Sequence, residues 1–543
     1  MSGLLRSGLS LMVGWISPNL RVFLGSRQPT VWVAAVAVGI AAAIGAIVFR
    51  LAIAVFQLPW LGTMTEQVAT AARAAPWWMV LLAPAAGGLV VGLFLEYLMP
   101  GKRAEVVADV IEARALPSHQ LTLRIGLGSA FVSALSLGTG ASAGREGPVV
   151  HLGASLAAAL TRLLNLPMAA RRTLLGCGVA AAISASFNAP IAGVLFAHEV
   201  ILGHFSPTAF VPIVIASTVA AVISRGWFGD FPAFVVPQYQ VTSYWEVPAF
   251  ALLGLTCGLV AILFQFGLIG TDWVARRIPI PLIVRPVIGG LAIGAMALVF
   301  PEILGVGYEA TDQALKHQLP LTLMLMLIVA KASATAITLA SRFGGGIFSP
   351  SLYLGAMTGG AFGLIAASLF PDMASSHGLY AILGMGAVAG AVLGAPISTT
   401  LIVFELTGGY ALSIALLLTV AIANGFNKAV HGRSFFHWQL ESRGLFLSEG
   451  AHRRIVRNVR VSDFMRSLDN EEEPPPLESD DAPRLMVDDI LEVALRRFDE
   501  TGQPRLPVVS RTDPAKVTGW AHQIDALERF SKELVEANVE EHR

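Results

Sequence analysis

Three stretches of this chain run for about twenty residues without an ionisable side chain, which is the length that crosses a bilayer as helix: 31–49 (VWVAAVAVGIAAAIGAIVF), 77–95 (WWMVLLAPAAGGLVVGLFL) and 248–271 (PAFALLGLTCGLVAILFQFGLIGT). Lipid offers no partner for backbone N–H and C=O groups, so such segments must bond internally, and helix is the form that does so within one segment. The remaining composition agrees: 55% of the 543 residues are hydrophobic and 14% charged, and the mean hydropathy is +0.66, far from the average of soluble domains. The expected fold is an all-α polytopic membrane protein.

Charge returns only near the end. After about residue 445 the chain reads HRRIVRNVRVSDFM, then DNEEEPPPLESDDAP, then a mixed tail. The expected division is a cytoplasmic N-terminal segment (1–30), a first membrane half (31–235), a second half (236–445) and a cytoplasmic tail (446–543). Its acidic, Pro-rich insert at 469–483 is expected as a solvated loop. Beyond it, LMVDDILEVALRRFDETG has helical spacing, LPVV and KVTGW read as strands around a TDP turn, and IDALERF returns to helix, which makes the tail small and α+β. No cleavable signal is expected in the first thirty residues. Arg6, Arg21 and Arg27, with no acid beside them, place the N-terminus in the cytoplasm, and both termini are expected there.

The two halves repeat. Residues 174–199 (LLGCGVAAAISASFNAPIAGVLFAHE) parallel 382–405 (ILGMGAVAGAVLGAPISTTLIVFE), and Pro190 precedes Glu199 by nine residues just as Pro396 precedes Glu405. Upstream, PVVHLGA (148–154) matches PSLYLGA (350–356), each after a Gly-rich break, SAGREG or RFGGGIFS. Interruptions at matching places in two membrane halves indicate broken helices that meet near the midplane, where a substrate binds. The pattern alone leaves inverted and parallel arrangements open.

A helix that starts inside the membrane presents unbonded N–H groups and a partial positive charge, and an anion satisfies both. Glycine lets those amides approach an ion, and proline in the first turn sacrifices no needed donor. GREGP (144–148) and GIFSP (346–350) combine these features. Together with NAPIAGVLFAHE between them, they resemble the signature motifs of the CLC chloride channels and transporters over residues 30–445. The resemblance implies inverted halves, a homodimer with one pore per subunit, chloride as the anion and a location in a bacterial inner or plasma membrane.

The resemblance also implies roles. Glu146 becomes the gating glutamate, which competes with the anion when ionised and leaves when protonated; the amides of Gly147, Ile347 and Phe348, with Gly346 beside them, hold the anion. Arg145 is expected to pack or snorkel rather than bind the ion. Two departures alter the site. Where the family places a tyrosine on the central anion this chain has Phe436 within SFFHWQLESRG, and where the first anion motif has a serine it has Glu105 within AEVVA; both are expected to line the pore. The family's internal proton acceptor aligns with Val200, leaving His198 and Glu199 as a possible proton path. The reading is therefore a chloride transporter that is channel-like or weakly proton-coupled. A fully coupled chloride/proton antiporter, a carrier of nitrate or bicarbonate, and a carrier for another solute are the alternatives.

The tail resembles a CBS domain through VSDFM, LPVV, KVTGW and Asp525, but the hydroxyl residue expected before Asp525 is replaced within AHQI, which argues against bound nucleotide. No cofactor, metal or nucleic acid is expected, the last because the net charge is zero. Cys177 and Cys257 read as small core residues. Two enzyme readings are set aside. GTGASAG (138–144) has no strand-helix-strand unit around it, and nothing brings Ser142 to His151 or His198 as a nucleophile–base pair.

Overall fold

A computed structural model describes residues 18–116, 119–230, 243–371, 374–408, 412–446, 451–468, 483–511 and 517–542, with isolated positions between 16 and 241. The chain separates into two compact units, Met1–Phe435 and Phe436–Arg543, about ten residues ahead of the boundary read from composition. The first unit is helical throughout. In chain order its helices are α1 (Gln28–Leu61), α2 (Val68–Ala74), α3 (Trp77–Tyr97), α4 (Val107–Ala115), α5 (Leu123–Gly138), α6 (Glu146–Leu163), α7 (Met168–Phe187) and α8 (Pro190–Phe196), which continues as a π-helical turn, Ala197–Leu202. There follow α9 (Pro207–Phe228), α10 (Val247–Arg277), α11 (Val284–Ala297), α12 (Tyr308–Leu315), α13 (Leu321–Ala340), α14 (Phe348–Leu369), α15 (His377–Leu393), α16 (Pro396–Thr407) and α17 (Ser413–Val430). Seven helices among the described residues are long and apolar enough to cross a bilayer, and the three uncharged stretches fall inside α1, α3 and α10.

The Ala-Pro break forms the same way in both halves. Asn188 closes α7 in the left-handed region (φ 57°) and Gly394 closes α15 there (φ 69°). Each is followed by alanine and then by a proline opening the next helix, Pro190 or Pro396. A left-handed residue stops one helix by turning the chain away from its axis, and a first-turn proline starts another without losing a donor.

Glycine makes the helices pack closely. A methyl added at Gly153 of α6 would stand 2.3 Å from the Gly178 carbonyl oxygen of α7, and one at Gly355 of α14 would stand 2.2 Å from the Gly384 oxygen of α15. Backbones in lipid approach this closely where residues are small.

Helices α8 and α16 establish how the halves relate. The Glu199 carboxylate, at the far end of α8, accepts from the Ile397 and Ser398 amides at the start of α16 (3.2 and 2.7 Å). The Glu405 carboxylate, at the far end of α16, accepts from the Ile191 and Ala192 amides at the start of α8 (3.1 and 2.8 Å). Sequence-equivalent helices thus run antiparallel, each capped by the other's acid, so the repeated halves are inverted.

The second unit contains α18 (Phe435–Glu441, entered at its second residue), α19 (Ala451–Asn458), α20 (Leu491–Thr501), α21 (Gln523–His542) and strands β1 (Arg466–Ser467), β2 (Leu485–Met486), β3 (Arg505–Val509) and β4 (Val517–His522). The strands form one sheet in the order β1-β4-β3-β2, with β2 and β3 parallel and the other pairs antiparallel. Leu485, Leu491, Phe498, Leu506 and Val508 fill its core, giving the small α+β domain expected. Most of the acidic insert and the TDP turn lie outside the described residues.

Candidate functional site

The two Gly-rich breaks meet. Gly144 donates to the Gly346 carbonyl (2.7 Å) and Gly346 donates to the Gly144 carbonyl (2.8 Å), an antiparallel bridge between residues that occupy the same place, four before the proline, in the two repeats. Contact this close excludes side chains: a Cβ on Gly147 would lie 3.2 Å from Gly346 Cα. Helix α6 starts at Glu146 and α14 at Phe348, so the amides of Gly147, Ile347 and Phe348 belong to first turns or their caps, with no carbonyl one turn behind to receive them.

Glu146 is 1% exposed. Its Oε1 accepts from the Ser349 hydroxyl at 2.5 Å and from the Tyr308 hydroxyl at 3.3 Å, whereas Oε2 has no hydrogen-bond partner. That bare oxygen is the one beside Gly144, 2.6 Å from where a Cβ would stand. A buried carboxylate held on one oxygen by hydroxyls and bare on the other is poorly satisfied where it sits. Such a group can give way to another anion or to a proton.

Arg145 follows the packing expectation. Its guanidinium donates to Glu66 (2.8 Å) and to the Ser186 carbonyl (3.3 Å) and lies over the Tyr308 ring, 4.7 Å from its centroid. Only its Nε comes within 4.0 Å of Glu146, beyond hydrogen-bond reach, so Glu146 is not locked in an ion pair. Glu66 is shared with Arg50 (2.9 Å).

The altered first motif reaches the same place. Val106 lies beside Gly147, 3.8 Å from a would-be Cβ, and Glu105, next to it, contacts His151 of α6 (Oε2 to Nε2, 3.0 Å) while its amide donates to the Ser129 hydroxyl (2.9 Å). His151 is fully buried and its Nδ1 has no partner. Three segments therefore converge, around 105–106, 144–147 and 346–349.

Other candidates fall elsewhere or act differently. Gly346 spends its amide on Gly144, so its contribution is the absence of a side chain. Phe348 packs its ring against Phe187 (5.1 Å) and Phe196 (6.4 Å), leaving its backbone as the polar group at the helix start. Glu199 also accepts from the Ser398 hydroxyl (2.5 Å), so its carboxylate is committed to capping α16. His198 is buried between Phe205 and Phe210 with Nδ1 3.1 Å from the His204 carbonyl oxygen, in the manner of a packed structural histidine. Phe436 is buried on α18, at the start of the second unit. In the tail, Asp525 makes a two-bond pair with Arg466 (2.7 and 2.8 Å), whose hydrogen bonds hold the carboxyl below its ordinary range.

Sequence reasoning missed Tyr308, which no motif marks, and the role of Ser349. The repeat alignment contained a signal for the latter: Ser349 takes the place of Gly147, so the pseudo-symmetric site has one hydroxyl where the other half has none.

A multi-pass membrane protein of two inverted halves, whose broken helices begin at one buried carboxylate, is the class that this architecture defines. Residues 87–428 match the family model described as voltage gated chloride channel. The chain is 36% identical to a ClcB-like protein of Ralstonia nicotianae, named for chloride channels, over 70% of this chain and 90% of the other. It is 33% identical to the H(+)/Cl(-) exchange transporter ClcA of Vibrio vulnificus over 52% of this chain and 62% of that one. A slow cyanobacterial Cl-/H+ antiporter of known crystal structure superposes with a TM-score of 0.68 at 25% identity, covering 76% of this chain and 97% of its own. The chain belongs to the voltage-gated chloride channel (CLC) family, and is an integral membrane protein of anion transport.

Proposed function

We propose that this protein carries chloride or a similar small anion across the membrane through a path gated by Glu146, in a channel-like or weakly proton-coupled manner. The observation that carries the reading is the Glu146 carboxylate itself, buried where two helix starts meet, with one oxygen held by Ser349 and Tyr308 and the other bare. When ionised it competes with the anion for the first-turn amides of Gly147, Ile347 and Phe348. When protonated it loses that attraction and leaves the path. With Phe436 where the family has a hydroxyl, backbone amides carry most of the anion's coordination. The subunits form homodimers with separate pores, both termini are cytoplasmic, and the tail packs without nucleotide because Asp525 is occupied by Arg466.

Weak coupling follows from Val200, which carries no proton, and from the commitment of Glu199 to a helix cap. The alternative, a fully coupled antiporter, is favoured by one observation: Glu105 and His151 form a titratable pair beside Gly147, where a proton could be held. The test is chloride and proton flux followed together in vesicles containing the purified chain. Chloride-driven flux whose pH dependence disappears in Glu146→Gln supports the gate, and unchanged pH dependence overturns it. Stoichiometric proton uptake that survives in the parent chain and falls in His151→Phe would favour the antiporter.

A further inference from the structure

Away from the helix breaks, the end of α6, the start of α7 and the segment joining α4 to α5 enclose a cavity of about 130 Å³. Arg114, Arg162, Arg171 and Arg172 line it, with His119 at its side and no carboxylate in its wall. The local sequence explains this charge. From Ala113 to Leu175 the only acid is Glu146, at the opposite end of α6, which at 1.5 Å per residue is roughly 24 Å from Arg162.

Two of the arginines are held by the backbone rather than neutralised. Arg162 donates from Nη2 to the Leu121 carbonyl (2.8 Å) and from Nε to the Ala158 carbonyl (3.3 Å), and Arg171 donates from Nε to the Leu166 carbonyl (2.8 Å). Neither forms an ion pair among the described residues. The acids near it, Glu112 at 3.6 Å from His119 and Asp109 with Glu105 clustered on the same histidine, stand outside the wall. Carbonyl anchors fix a guanidinium's direction and keep its charge, which is how a site is organised before a ligand arrives. A planar fork of N–H groups matches phosphate oxygens in pairs.

The surroundings are amphipathic. Met168 of the wall is 45% exposed, and Leu163 and Leu164, on the chain just before it, are 78% and 43% exposed. Apolar side chains that stand open beside an arginine cluster at the end of membrane helices suit a molecule with an anionic head and an apolar body. An arginine-rich helix end also faces the cytoplasmic leaflet, where anionic lipids gather.

We propose that this pocket binds a phosphate group, and that its occupant is the headgroup of an anionic phospholipid of the cytoplasmic leaflet. The site is independent of the anion path: none of its arginines belongs to the segments around Glu146. Arg162 and Arg171 hold the phosphate, and Met168 with Leu163 and Leu164 receives the start of the acyl chains.

The test uses the purified full chain, stripped of lipid in detergent and titrated with short-chain phosphatidylglycerol, short-chain phosphatidylcholine or inorganic pyrophosphate. Bound ligand is read by native mass spectrometry and the unfolding temperature by heating. Saturable phosphatidylglycerol binding that raises the unfolding temperature, with little response to phosphatidylcholine, is expected. Each arginine replaced by glutamine should weaken it about tenfold, the size of one charge-assisted hydrogen bond. Arg162→Gln also removes a tie to Leu121 and can fail to fold, so Arg171→Gln, anchored through the Leu166 carbonyl, is the primary variant. Arg276→Gln, an exposed arginine on α10, serves as the control and should bind as the parent does. Pyrophosphate that binds and displaces the lipid would support the phosphate site and assign it to soluble phosphates. No saturable binding of either ligand, or equal affinity in the parent and Arg171→Gln, would mean the arginines only set topology and would overturn the proposal.

Discussion

The Ser349 hydroxyl is the shortest tie on Glu146, 2.5 Å against 3.3 Å for Tyr308, and Ser349→Ala removes it without adding bulk. A hydrogen bond to a charged group contributes about 1.5–3 kcal/mol. Because Tyr308 remains and can tighten, the lower end applies, about 1.5 kcal/mol, or roughly tenfold in the ratio of seated to displaced carboxylate. The sign is fixed by which form the hydroxyl serves. It donates to the ionised carboxylate in its seat, so its loss disfavours the blocking state, and the acid needed to open the path becomes milder. The half-maximal pH of chloride efflux from vesicles should therefore move up by about one unit, since a tenfold change in a protonation-linked ratio corresponds to one unit of pH. Tyr308→Phe should move it the same way by less. In Glu146→Gln, adding Ser349→Ala should change nothing further in the pH profile, because the bond's charged partner is gone. A profile unmoved in Ser349→Ala, or displaced toward lower pH, would refute the argument that this bond seats the gate.

Glu199→Gln should lower stability by about 1–2 kcal/mol, because a helix start loses its charged acceptor, and thermal unfolding in detergent reads it; proton flux should be unchanged, and its loss would show that Glu199 carries protons. Gly355→Ala should cost about 1–3 kcal/mol or prevent folding, since its methyl would stand 2.2 Å from a backbone oxygen of α15; parent-like stability would contradict the close packing of these helices. Arg466→Gln frees Asp525. The bonded carboxyl lies below its ordinary range, so the pair stabilises the tail above the unfolded carboxyl's titration and that contribution fades as pH falls through the folded value. At an exposed pair this is worth about 1 kcal/mol or less, and amide exchange in β4 should quicken in the variant at neutral pH and match the parent in acid. Adenine nucleotide should give the parent tail no added protection, and protection would reverse the assignment.

Much of the membrane fold was legible because lipid leaves few options: the uncharged stretches at 31–49, 77–95 and 248–271 became α1, α3 and α10, and the Ala-Pro breaks became left-handed stops followed by proline starts. The repeat announced two related halves, but their inversion required the reciprocal capping of Glu199 and Glu405, which spans about two hundred residues of chain. Glu146 stood out as an acid at a glycine-framed helix start. Its partners did not, because Tyr308 arrives on a short helix with no motif and Ser349 acts across the bridge rather than along its own helix. Likewise the Glu105–His151 contact depends on where the loop before α4 meets the middle of α6, a distance that periodicity does not encode.

The bridge between Gly144 and Gly346 gives the gate its logic. Because equivalent residues bond to each other, a local two-fold relation passes between them, and whatever follows each glycine is brought to the other's side. Two residues on, the halves differ: glutamate in one, phenylalanine in the other. One step further they differ again, glycine against serine. Perfect symmetry would place two acids in one buried spot, where like charges repel and neither could stay ionised cheaply, or two phenylalanines, with nothing to titrate. The broken symmetry instead seats a single acid against a hydroxyl from the opposite half, so the architecture supplies paired helix starts while the divergence supplies one movable charge. Replacing Phe348 by glutamate would restore the symmetry, and it should set the two acids against each other and leave the path open at a higher pH than in the parent; closure at the parent's pH would show that the two helix starts do not share one anion site.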